Sequence, residues 1–167
     1  MVANFKQKQK YFNEQAQAIV EFAIVLPILL VLLVGILEVG RMIFIYAAIN
    51  NASREAVRYA SAVGLNDAKT AEKYRDCDGI KEIATRSAFF TNLTVSISYD
   101  HGPGQSAFDT CDGSIDTVTI NSGTDHDRAT VTVSAVYRPM INLVPMRQRT
   151  FTSSSSRSIL GIMVLNP

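Results

Sequence analysis

From Phe22 to Leu37 the chain carries no charged residue. Extended to Ala18 and Gly40, the run covers 23 positions interrupted only by Glu21 and Glu38. As a helix rising roughly 1.5 Å per residue it is about 34 Å long, enough to cross a hydrocarbon core of about 30 Å. A cleavable secretory signal would have a shorter apolar region ending in a small-x-small site. Here "EVGRMIFIYAA" follows, charges and then more apolar helix, so the segment is expected to stay as a transmembrane helix. Lys6, Lys8 and Lys10 precede it with one acid, Glu14, whereas Arg41 alone sits close behind it. The positive-inside rule then predicts a single-pass inner (plasma) membrane protein with a cytoplasmic N-terminus and an extracytoplasmic C-terminal part.

The helical pattern does not stop at the lipid boundary. Met42, Ile45, Ile49, Ala52, Ala56, Tyr59 and Val63 recur at spacings of three and four, one stripe along a helix, with Gly64 as its stop. Ala48, Ala52, Ala56, Ala60 and Gly64 form a ridge of small side chains that admits a close neighbour, for which the chain's own sheet is preferred over other copies of the helix. Residues 1–16, polar and basic, are expected to form a flexible cytoplasmic leader. The predicted organisation is a leader at 1–16, a transmembrane segment at 17–41, an amphipathic extension of the same helix at 42–64, and an extracytoplasmic domain at 65–167.

That last part is polar and rich in Ser and Thr. A short helix is expected around residues 78–90, where Ile80, Ile83 and Ala84 share a face. The period then changes to two. "LTVSISY" (93–99) and "ATVTVSAVY" (129–137) alternate apolar with hydroxyl residues as half-buried strands do, "IDTVTI" (115–120) fits more loosely, and a last strand is expected within 149–165. "DHGPGQS" and "NSGTDHD" read as the turns between them. The fold class is therefore α+β: a long N-terminal transmembrane and amphipathic helix packed on a small antiparallel sheet.

Both cysteines, Cys77 and Cys111, lie in the part assigned to the oxidising side, each in a C-D-G tripeptide. A disulfide between them is the favoured reading. The rival is a metal site built from Asp76, Asp78, Asp109 and Asp112, although no complete calcium loop with its distal Glu is present.

Little else offers chemistry. Lys plus Arg, 16 in all, nearly cancel Asp plus Glu at 15, so no broad basic field exists to attract nucleic acid. The two histidines, His101 and His126, stand in turn-like segments beside Asp and Gly and read as solvated, and no nucleophile, zinc or phosphate-loop motif occurs. An enzyme is not expected, and no cofactor is implied.

Glu21 and Pro27 remain, two residues poorly suited to a span. An acid in the first helical turn interacts favourably with the helix dipole. A cut between Ala16 and Gln17 would give it a second task, because the new ammonium would lie four residues away, at one depth in every copy. Pairing that ammonium within or between chains would set the axial register of bundled helices. Pro27 withdraws a donor from the carbonyl of Ala23 and is expected to kink or loosen the helix. Glu38 and Arg41, three apart, are expected to pair at the outer interface.

"AQAIVEFAIVLPILLVLLVGILEVGR" closely resembles the N-terminal signature of TadE-like pseudopilins, minor pilin-like proteins of the tight adherence (Flp) pilus systems related to type IV pili. The paired cysteines, the "TVTVS" strand, "RPMINLVP" and the Ser-rich last strand are also similar to that family. The resemblance implies removal of the leader by a prepilin peptidase after Ala16, where the family usually has Gly, so that Gln17 becomes the first residue and Glu21 the fifth. It further implies a pilin-like fold and, as partners, other pilins and pseudopilins, an inner-membrane assembly platform and membrane lipid. The alternative is an uncleaved, signal-anchored extracytoplasmic binding domain.

Overall fold

The computed structural model describes residues 3–89, 92–120, 127–140 and 147–159, with side chains from residue 16 onward. Helix α1 runs from Ala3 to Ala60 without interruption. It therefore begins well before Gln17, and the expected flexible leader is helical from Ala3. The reason is local: Lys, Gln and Glu are among the better helix formers, and a preformed helix downstream removes the cost of nucleation. The chain divides into two units, one made of Met1–Arg41 with Pro139–Met146, the other of Met42–Arg138 with Arg147–Pro167.

In the first unit the helix is apolar and bare. Residues 16–33 are all exposed, and this part of α1 is long and apolar enough to cross a membrane.

In the second unit the same helix becomes the cover of a sheet. Ile45, Ile49, Ala52, Ala56, Val57 and Ala60 are buried in one core with Ile97, Tyr99, Val131, Val133 and Tyr137. Ala52, Ala56 and Ala60 of the alanine ridge thus pack in the core of their own domain. Val63 falls outside this stripe and is exposed. Helix α1 ends at Ala60, with Ser61 N–H still donating to the Val57 carbonyl at 2.9 Å, and Gly64, at φ 113°, takes the left-handed turn that a side chain would resist.

Helix α2, Cys77–Ala88, starts where Asp76 accepts a hydrogen bond from Gly79 N–H at 3.1 Å and ends as Phe89 enters the left-handed region. The sheet has strands β1 (Leu93–Asp100), β2 (Ala107–Thr110), β3 (Arg128–Tyr137) and β4 (Arg149–Ser158), in the order β2-β1-β3-β4, each pair antiparallel. Alternation assigns the faces as the sequence implies. Val131 and Val133 of β3 point into the core, and Thr130 and Thr132 point away.

One strand expectation needs correction, and one strand was not foreseen. Residues 115–120 form no strand, because Asp116 Oδ1 accepts from the backbone N–H of Thr117 (2.6 Å) and Val118 (3.2 Å) and withdraws both donors from any ladder. The partner of β1 on that side is instead Ala107–Thr110, joined through a bulge after Tyr99. The turn expected at "NSGTDHD" lies outside the described residues except for Asp127.

Candidate assembly site

Ala16, Gln17 and Glu21 all lie on the exposed surface of α1. Gln17 and Glu21 are one turn apart, about 6 Å along the axis, and share a face. Among the residues with described side chains, Glu21 makes no hydrogen bond or ion pair. Its neighbours Ile19, Val20, Phe22 and Ile24 are exposed and apolar, so the carboxylate sits in a greasy belt. Pro27 lies inside the helix, which continues through it.

At the other end of the span Glu38 is buried, at 4% exposure, unlike the turns before it. Its Oε1 accepts the backbone N–H of Met140 at 2.8 Å, while Arg41 Nη1 stands 3.9 Å from Oε2. The shorter contact is with a residue a hundred positions away that sequence reasoning did not connect. Nothing in the spacing could have revealed it, since the acceptor is a side chain and the donor a backbone group.

In the domain Cys77 and Cys111 are joined by a disulfide with their Cα atoms 5.7 Å apart. The closed loop links the first turn of α2 to the end of β2, and a loop of this size stabilises a fold by roughly 3 to 4 kcal/mol in the chain-entropy model. Tyr99 packs against it, its hydroxyl donating to the Tyr74 carbonyl and lying 3.1 Å from Cys111 Sγ. Burial, then the negative charges of Asp116 and Asp109, pushes that hydroxyl well above the usual tyrosine range.

Three of the four carboxylates weighed as rival metal ligands have local tasks. Asp76 caps α2 and accepts from Tyr59, Asp109 accepts from Thr110 N–H, and Asp112 accepts from the Thr110 hydroxyl. The sulfur atoms near Asp116 belong to the disulfide. His101 is not simply solvated: its Nδ1 lies 2.7 Å from Oδ1 of the buried Asp127 and its ring stacks on Phe108 at 4.3 Å. His126 lies outside the described residues.

Sequence reasoning missed two further polar clusters. Ser53, fully buried on α1, lies 3.1 Å from Ser153 Oγ and 2.9 Å from Ser155 Oγ, and Ser153 donates to Asn50 at 2.7 Å. Half of the serine run is therefore the polar seam between helix and strand. At the end of β1, Asp100 accepts from Arg128 Nε at 2.7 Å, Thr130 Oγ1 at 2.9 Å and Gly102 N–H at 2.9 Å.

A long helix with a bare apolar half and a half that roofs a four-stranded antiparallel sheet defines an α+β protein with, among the described residues, one helix long and apolar enough to cross a membrane. Its helix is similar to that of a known family: the family model described as "TadE-like protein" matches residues 16–58, from the expected cut almost to the last turn of α1. No curated protein and no solved structure is matched.

Proposed function

We propose that this chain is a minor pilin or pseudopilin that takes part in assembly of a Flp-type adhesive pilus after a prepilin peptidase cuts between Ala16 and Gln17. The N-terminus is cytoplasmic and the sheet domain is displayed on the far side of the inner membrane. Partners are the peptidase, the assembly platform and the helices of other pilins, which cover the apolar belt once the subunit leaves the lipid.

The observation that carries the reading is the position of Glu21, exposed within that belt one turn after Gln17. An uncompensated carboxylate in a dry helix bundle is costly, and an α-ammonium created at Gln17 compensates it. In the filament the two charges pair within or between chains and fix how far one helix slides along the next. Because the scissile bond lies within α1, the helix must unwind locally to enter the peptidase.

The direct test is N-terminal sequencing or intact mass of the membrane-extracted protein from cells with an active prepilin peptidase. The expected mature chain starts at Gln17. A functional product starting at Met1 removes the proposal and leaves the anchored binding domain.

A further inference from the structure

The turn of α1 that holds Glu38 is surrounded by exposed apolar side chains: Ile36, Leu37 and Val39 are all exposed, and the helix goes on exposing Ile43 and Phe44 beyond Arg41. Phe44 is about 9 Å further along the helix than Glu38, taking 1.5 Å per residue. A carboxylate in such a belt needs a reason to be there, and its partner gives one. Glu38 accepts the N–H of Met140, a residue of the connection between β3 and β4, while the Met140 side chain remains 76% exposed.

Backbone donors entering lipid must be satisfied by the protein, since no water is there to take them. Pro139 has no N–H to satisfy, and that of Met140 is taken by Glu38. Two consecutive residues at this point therefore expose no free amide donor. The composition agrees: from Pro139 to Met146 the sequence, "PMINLVPM", holds no charge, and Arg138, Arg147 and Arg149 bracket it. An apolar composition bracketed by cations is one that suits a lipid interface.

We propose that the connection between β3 and β4 makes a second membrane contact, in which Pro139 and Met140 enter the outer-leaflet interface beside the spanning helix and the Met140 N–H bond to Glu38 holds them at that depth. This rests on α1 being the membrane span with the domain outside. The contact would set the depth of the subunit in the bilayer and would have to break when the helix is drawn out.

The test uses the full chain in nanodiscs of phosphatidylcholine and phosphatidylglycerol. The native cysteines are paired, so a single introduced cysteine takes a nitroxide label at Leu29→Cys, Met140→Cys or Ser154→Cys. Accessibility to oxygen, which concentrates in lipid, is compared with accessibility to a polar nickel chelate. The oxygen-to-nickel ratio is expected to be high at Leu29, low at Ser154, and several-fold above Ser154 at Met140. Adding Glu38→Ala should bring Met140 down to the Ser154 value, whereas Glu38→Gln, which keeps an acceptor oxygen, should preserve it. A Met140 ratio equal to that of Ser154 while Leu29 stays in lipid overturns the second contact and leaves the span intact. A water-accessible Leu29 overturns both. Shielding of Met140 from both reagents means a protein neighbour and overturns the lipid assignment.

Discussion

The Tyr59 hydroxyl donates at 2.9 Å to Asp76 Oδ2, and the other oxygen of the same carboxylate caps helix α2. One acid therefore ties the end of the long helix to the start of the short one, immediately before the disulfide at Cys77. The fit is close, since a Cβ on Gly79 would collide with that carboxylate. Burial, and then the bond and charge of Asp76, pushes the Tyr59 hydroxyl well above the usual tyrosine range.

Tyr59→Phe removes the donor and leaves a carboxylate oxygen short of a partner, at a cost of about 1 to 3 kcal/mol. A pH dependence accompanies it. A tyrosine raised on folding keeps its proton longer in the folded state, so its contribution is complete below the unfolded value of about 10 and fades as pH rises beyond it. Thermal melts of the detergent-solubilised chain between neutral and strongly alkaline pH should show a shallower alkaline loss in Tyr59→Phe than in the parent. Equal slopes would mean that this hydroxyl does not govern the alkaline limb.

Removing the cross-link has a larger effect. Cys77→Ser with Cys111→Ser should lower stability by roughly 3 to 4 kcal/mol if loop closure dominates. The denaturant midpoint checks this, with the parent treated with a reductant as a second reference. The double variant and the reduced parent should agree.

The serine run on β4 separates two kinds of serine that composition alone merges. Ser53→Ala strips the seam to Ser153 and Ser155 at a fully buried position, and about 1 to 2 kcal/mol should be lost. Ser154→Ala, on the exposed face with one cross-strand bond to Thr132, should stay within about 0.5 kcal/mol of the parent. Chemical denaturation of both variants decides the matter, and a Ser154 effect as large as that of Ser53 would contradict the assignment of faces.

What the sequence could and could not convey follows the same division. The alternation in "ATVTVSAVY" fixes which residues of β3 face the core, because the strand period is local and each apolar position has a buried place to go. The alanine ridge likewise predicted a close partner. In "IDTVTI" the alternation holds only from Val118 to Ile120 and Val118 is buried, yet the side chain of Asp116 takes the backbone donors that a strand would need. Strand β2 has no alternation to read and pairs because the disulfide and the bulge at Tyr99 bring it beside β1. Glu38 was legible as a boundary residue, but its bond to Met140 depends on the return of the chain after β3.

Acid should unfold the domain through Asp100. Burial pushes this carboxyl up, but the bonds from Arg128, Gly102 N–H and Thr130 outweigh it and hold it below the usual carboxylate range. A depressed folded value means the contribution is complete above the unfolded value of about 3.9 and is lost as pH falls through the folded one. Asp100→Asn should therefore be less stable than the parent at neutral pH and lose less on acidification. Denaturant midpoints across that range measure the difference, and parallel curves would assign acid sensitivity to another group.

Glu21→Gln separates the assembly role from simple anchoring. The amide keeps the size and the hydrogen-bonding atoms of the side chain but not its charge, so the helix and its insertion should be unaffected. Leader removal should persist, because Glu21 lies one turn beyond the cut. The α-ammonium at Gln17 would then have no carboxylate at its own depth, and a buried unpaired charge costs several kcal/mol, enough to exclude the subunit from a helix bundle. Immunoblots of sheared filaments and of membranes should find the variant in the membrane alone, processed and folded. If it enters filaments as well as the parent does, the charge is only a helix-start acid and register must be set by packing.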